Sequence, residues 1–132
     1  LTGKKFCNKI WNASRFVLMQ QTTNNKQQTT KPKTAADKKI LNGLKKITAE
    51  VSGLIDKYEF GKALRLLYDF FWHEYADIYI EAAKKQTNKK VLLRIHADLL
   101  KLLHPFLPFL TEEIWGMLKI SKKILMIEKW PK

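Results

Sequence analysis

Residues 8–17, NKIWNASRFV, place two asparagines, an arginine, a tryptophan and a phenylalanine within less than three helical turns. Helix interiors disfavour asparagine, whose short amide competes for nearby backbone groups. Asn8 and Asn12, four residues apart and beside Arg15, therefore call for a reason beyond helix formation. Amides and a guanidinium in a row on one helical face can hydrogen-bond base edges and phosphate oxygens. Phe16, next to Arg15, lies at the edge between the apolar and polar sides of such a helix. Stacking on an unpaired base is open to it, although packing in the core is the simpler expectation.

A second constellation invites a different chemistry. Asp69, His73, Asp77 and Glu81 recur every four residues, and carboxylates flanking a histidine suit metal binding or acid–base work. A solvated stripe on an otherwise apolar helix explains the same spacing more simply. No glycine-rich phosphate loop, Cys-x-x-Cys pair, His-Glu-x-x-His or nucleophile elbow occurs in the chain. His73, His96 and His104 are far apart in sequence, and His104, before Pro105, reads as a cap or packing residue. No catalytic residue, metal ligand or cofactor is therefore expected in this chain.

The charge distribution favours the first constellation. Residues 1–50 carry eleven Lys/Arg against two Asp/Glu, whereas residues 51–100 carry eight against seven and residues 101–132 six against three. The net charge of +13 is thus concentrated around the Asn/Arg run, a field that suits a polyanion such as RNA, DNA or an anionic membrane. At 132 residues the length fits one domain, and 45% apolar residues suffice for a core. The single Cys7 makes no internal disulfide, which fits a reducing, cytoplasmic compartment. The densest apolar stretch, residues 99–110, is interrupted by Lys101, His104 and two prolines, so a membrane span is not expected. Leu1 is not a start methionine, so the chain reads as a piece of a longer polypeptide.

The elements that must position these residues are helices. Phe6, Ile10, Ala13 and Val17 recur at i, i+4, i+7 and i+11, predicting an amphipathic helix over residues 4–20 with Lys5, Asn8, Asn12 and Arg15 opposite. Residues 20–34 (QQTTNNKQQTTKPKT) contain no apolar side chain and read as a low-complexity connector. A second helix follows over about 34–57, with Ile40, Leu44, Ile47, Val51 and Leu54 inward. Gly43 and Gly53 weaken it, or mark close packing of helices. The third, about 59–85, is apolar on most of its circumference and should be the centre of the bundle. Its aromatics, Phe70, Phe71, Trp72, Tyr75 and Tyr79, belong in the core. A fourth spans about 88–103, with Leu92, Ile95 and Leu99 on its stripe. After HPFLPF a short fifth should begin near 108–111, with Glu112 and Glu113 at the positive end of its dipole. The tail, from 116 on, is lysine-rich, with an isolated strand open to it. The expectation is an all-α bundle of four to five helices with a short irregular C-terminal tail, one domain over residues 1–132.

Three ordered segments resemble one family. GKKFCNKIWNASRFV (3–17), LYDFFWHEYADIYIEAAK (67–84) and LLKLLHPFLPFLTEEIW (99–115), closed by Trp130–Pro131, are similar to the C-terminal anticodon-binding domain of valyl-tRNA synthetases, class I aminoacyl-tRNA synthetases. The third segment is shared with the isoleucine enzyme, while NKIWNASRF is worded in the valine manner. Ala76, Ile78 and Lys39 depart from the family's usual cysteine, tryptophan and tryptophan. The connector has no family counterpart in composition.

The resemblance implies a helical bundle gripping the anticodon stem and loop of tRNA(Val). The catalytic domain of the parent chain, using ATP and magnesium, would attach valine elsewhere. KISKK (119–123) is not that domain's ATP loop, because in the family the loop precedes this domain. The expected tRNA-binding residues are Lys5, Asn8, Lys9, Asn12, Arg15, Phe16, Lys31 and Lys33, with Asn12 and Arg15 on bases or ribose and Lys5, Lys9, Lys26, Lys31 and Lys33 on phosphates. The alternatives are the equivalent isoleucine-enzyme domain, or a basic helical interaction module without RNA specificity.

Overall fold

The computed structural model describes residues 3–22, 35–84, 89–119 and 130–131. Five helices and no strand occur among them. Helix α1 covers Gly3–Thr22, α2 Ala35–Asp56, α4 Lys89–Leu103 and α5 Pro108–Leu118. Helix α3 is composite: it opens as an α-helix over Phe60–Asp69, widens into a π-helix over Phe70–Ile80, and closes with an α turn at Glu81–Ala83. The tail 120–129 and most of the connector, 23–34, lie outside the described residues. Of the connector's sequence, Gln20, Gln21 and Thr22 belong to α1. The Gln21 amide donates to Lys89 O at 3.1 Å, which fastens the end of α1 to the start of α4.

Helix order in space follows from a few contacts. Ser14 meets His96 while Gln21 meets Lys89, so α1 and α4 run antiparallel. Tyr79 donates to Asp37 at 2.9 Å, and Gly43 lies against Phe70, so α2 and α3 form an antiparallel hairpin. Its turn has Tyr58 at φ 60°, with Tyr58 N–H on Ile55 O and Glu59 N–H on Leu54 O. That is the 5→2 and 6→1 pair of a Schellman stop, built here on tyrosine where glycine is usual. At the other end of the chain, the Trp130 indole N–H donates to Ser52 Oγ at 2.8 Å and ties the terminus to α2.

The expected stripe of α1 is the observed one, with Phe6, Ile10, Ala13 and Val17 all buried. The central place expected for α3 goes to α4. Nine of the fifteen α4 residues are buried, whereas α3 leaves Asp69, His73, Glu74, Asp77, Ile78 and Glu81 exposed. The π-helix accounts for part of this. Its buried residues come as pairs, Phe70/Phe71, Tyr75/Ala76 and Tyr79/Ile80, repeating at five and then four. Wider i→i+5 turns keep those pairs on one side without exposing an aromatic core residue. Glu112 and Glu113 do not reach the first turn of α5, contrary to expectation. Pro108 begins that helix, and Thr111 secures it by donating to Leu107 O at 2.8 Å and accepting from His104 Nδ1 at 2.9 Å.

At the heart of the bundle three helices share one polar chain. Ser14 Oγ lies 2.7 Å from Ile10 O and 2.8 Å from His96 Nε2, and His96 Nδ1 lies 2.8 Å from the Tyr75 hydroxyl. A serine hydroxyl has one proton, and Ile10 O can only accept it. Ser14 must therefore accept from His96 Nε2–H, which leaves Nδ1 bare to accept from Tyr75 O–H. All three side chains are 0% exposed, and each of their polar atoms has a hydrogen-bond partner. Around it Phe6 packs edge-on to Tyr68 and Phe71, and Phe71 lies tilted against Tyr75, contacts worth about 0.5–1.5 kcal/mol each beyond area burial.

Burial pushes His96 down to about 3 from 6.5. Between those values the unfolded chain binds a proton that the folded chain excludes, so stability falls as pH drops below about 6.5, by up to ~1.4 kcal/mol per pH unit. Asp98, pushed up by burial against the pull of Lys101 and Arg94, contributes with the opposite sign in the carboxylate range. Urea unfolding of wild type and His96→Gln from about pH 7 to pH 4 checks this, since the variant should have the flatter profile. Equal slopes would place the acid sensitivity elsewhere. The two α2 glycines should also behave differently. A Cβ at Gly53 meets nothing within 4 Å, so Gly53→Ala should stabilise by about 0.5–1 kcal/mol. At Gly43 it would lie 3.0 Å from the buried Phe70 ring, so Gly43→Ala should forfeit that gain in the same assay.

Candidate nucleic-acid interface

With Phe6, Ile10, Ala13, Ser14 and Val17 inward, 100° per residue turns Lys5, Asn8, Asn12 and Arg15 outward, and all four are exposed. None of the four is held in a hydrogen bond or ion pair among the described residues. The asparagines cap no helix end here, so their unfavourable helix propensity is not offset by a local hydrogen bond. Their amides and the guanidinium present donors and acceptors along one straight row. Such a row can pair with base edges, while Lys5 at its N-terminal end supplies a free ammonium for phosphate.

Lys9 is placed differently from the row. It is half-buried at the border with α3, with Nζ 2.9 Å from Asp77 Oδ1 and 4.8 Å above the Trp72 ring. Trp72 in turn stacks on Tyr68 at 5.5 Å between ring centres. This half-exposed pair contributes at most about 1 kcal/mol to the fold. It does fix the ammonium beside a carboxylate. Phe16 is half-buried and packs against the core. Lys26, Lys31 and Lys33 lie outside the described residues.

The series Asp69, His73, Asp77 and Glu81 is exposed throughout, and His73 Nδ1 stands 3.8 Å from Asp77 Oδ2. No group of three His, Cys, Asp or Glu residues among those described can hold a metal ion. The series is a solvated acidic stripe on α3, flanking the α1 row on one side. Ser14, His96 and Tyr75 superficially combine a hydroxyl with an imidazole, but at 0% exposure no substrate reaches them. No helix among the described residues is long and apolar enough to cross a membrane.

Two features were not legible in the sequence. A polar cleft of about 360 Å³ between α2 and α4 brings Asn42, Lys45 and Thr48 to Arg94 and Asp98. A second hollow of about 360 Å³, between α2 and α3, has an apolar floor at Ile40, Gly43 and Phe70 under Lys39 and Lys46. Both are built from residues far apart in the chain, and no local pattern announces either.

Comparison with known proteins extends over nearly the whole chain. The sequence profile of the anticodon-binding domain of tRNA ligases matches residues 37–132. The chain is 44% identical over 98% of its length to the valine–tRNA ligase of Pseudothermotoga lettingae. It is 43% identical over 97% to that of Thermotoga maritima and 41% identical over 96% to that of Bacillus subtilis. It spans about 16% of the length of each of these relatives. Helix α1 precedes the profile match, and coverage of 96–98% of the chain takes the three alignments into it. All of α3 to α5 and all but the first two residues of α2 lie within the matched range, and on that match the chain belongs to the family of anticodon-binding domains of tRNA ligases.

Proposed function

We propose that this chain is the anticodon-recognition module of a valine–tRNA ligase and that the outer face of α1 reads the anticodon loop of tRNA(Val). The observation that carries this reading is the exposed row of Lys5, Asn8, Asn12 and Arg15, partnerless among the described residues and opposite a fully packed apolar stripe. An anticodon loop offers unstacked bases, so recognition combines base-edge hydrogen bonds, stacking and phosphate contacts. Valine anticodons share a central adenine and a third-position cytosine. The Asn12 amide can donate and accept at one adenine edge, and Arg15 can donate to base or ribose oxygens. Lys5 takes phosphate, with Lys9, Lys31 and Lys33 as further cations along the strand and Phe16 at the edge of the row.

Attachment of valine, with ATP and magnesium, belongs in this reading to the catalytic domain of the parent protein, in the cytoplasm. The valine–tRNA ligase relatives, aligned through NKIWNASRFV, favour valine over isoleucine as the cognate amino acid. The acidic stripe of α3 repels phosphates, so the strand should lie over α1 on the side away from Asp69 and Asp77.

In the full-length parent, Arg15→Ala should weaken binding of valine tRNA by about 1–3 kcal/mol and lower discrimination against altered anticodons. Equal loss on every tRNA would make Arg15 a phosphate clamp, and wild-type affinity would remove it from the site. Lys9→Met, which keeps the packing on Trp72 but loses the charge, should cost less than Lys5→Met, because its ammonium is already engaged by Asp77. Filter binding over a salt series should give a log–log slope of about −0.7 per neutralised phosphate. A slope near zero would speak against an electrostatic interface.

A further inference from the structure

Ser14 lies between the residues proposed to read the anticodon, two positions after Asn12 and one before Arg15, yet its side chain points the opposite way. Its hydroxyl hydrogen-bonds His96, a fully buried side chain of α4. The other α1 core residues, Phe6, Ile10, Ala13 and Val17, make apolar contact, which is non-directional and tolerates a small rotation or slide. A hydrogen bond does not, because it weakens steeply as its angle falls towards about 120°. With side-chain tips about 5–6 Å from the helix axis, a rotation of ~20° would move Asn12 and Arg15 by about 2 Å. That is enough to take an amide out of register with a base edge.

We infer that Ser14 and His96 are specificity-determining positioning residues, whose mutual hydrogen bond holds α1 at the rotation that presents Asn12 and Arg15 to the anticodon. The inference rests on the recognition role proposed for α1. The chemistry of the chain supports it. Ser14 Oγ has spent its proton on Ile10 O, so it binds only a ring N–H, and His96 offers that N–H at Nε2 because Tyr75 holds Nδ1 as acceptor. The ring stays neutral through burial, which is the state this sequence of bonds requires. Tyr75 and Ser14 thus favour the same tautomer, and the Ser14 bond alone suffices to keep Nε2 protonated and to hold α1.

Two single-hydroxyl deletions separate positioning from mere stability. Ser14→Ala and Tyr75→Phe each strand one buried nitrogen of His96, so both should lower the melting temperature of the full-length protein to a similar degree. Only Ser14→Ala unties α1. The readout is the ratio of dissociation constants for valine tRNA and for the same tRNA with its central anticodon adenine replaced. Ser14→Ala should reduce that ratio about fivefold or more, and Tyr75→Phe should leave it within about twofold of wild type. Ser14→Cys, whose sulfur is a weak acceptor, should fall between and serves if the alanine variant does not fold. Equal effects of the two deletions on the ratio, or none from either, would overturn the inference while Arg15→Ala still lowers the ratio. Wild-type binding by both Asn12→Ala and Arg15→Ala would instead sink the recognition role of α1, and the inference with it.

Discussion

One neutral imidazole, His96 on α4, accepts a hydrogen bond from Tyr75 on α3 and donates one to Ser14 on α1, and the placement of the bundle's first helix depends on it. Apolar burial supplies most of the drive to fold but says little about rotation, since leucine, isoleucine and phenylalanine accept many near-equivalent contacts. A buried donor or acceptor left unpaired costs about 1–3 kcal/mol, so a satisfied polar chain in the core penalises every arrangement but its own. Here the chain joins three helices and ends on Ile10 O, inside the helix it orients. The surrounding aromatic cluster of Phe6, Tyr68, Phe71 and Tyr75 supplies bulk, and the imidazole supplies direction.

From that placement the surface chemistry follows. The turn of α1 that puts Ser14 inside puts Asn8, Asn12 and Arg15 outside, so the asparagines that weaken the helix face solvent with their hydrogen-bonding capacity unspent. The same turn brings Lys9 to the border with α3, where Asp77 and Trp72 hold it. Basic residues of one segment therefore have two duties: Lys9 serves the joint between α1 and α3, while Lys5 and Arg15 remain available. The acidic stripe beside them, from Asp69 to Glu81, gives the face a polarity that net charge alone does not describe.

Membership of the anticodon-binding domain family rests on residues 37–132. The profile match begins at Asp37, which bonds Tyr79 at the start of the α2–α3 hairpin, and leaves α1 outside. The part common to the family is thus the scaffold of α2 to α5. The chain as a whole, α1 included, aligns at 41–44% identity with valine–tRNA ligases that are about six times longer.

Much of this was legible in the residues. Periodicity alone placed the α1 stripe, the order of five helices and the outward set Lys5, Asn8, Asn12 and Arg15, because one apolar face per helix is enough to orient each side chain in or out. It also read Asp69, His73, Asp77 and Glu81 as solvated. It did not show that α3 widens into a π-helix and cedes the centre to α4, since a helix apolar all round has no face to count. Nor did it join Ser14 to His96, separated by 82 positions, or pin Lys9 to Asp77, separated by 68, or bring Lys45 to Arg94. Each of those pairings depends on which helices become neighbours and at what rotation. Local pattern determined what each helix presents; only packing in three dimensions decided to whom, because direction in the core comes from hydrogen bonds between segments that no sequence window contains.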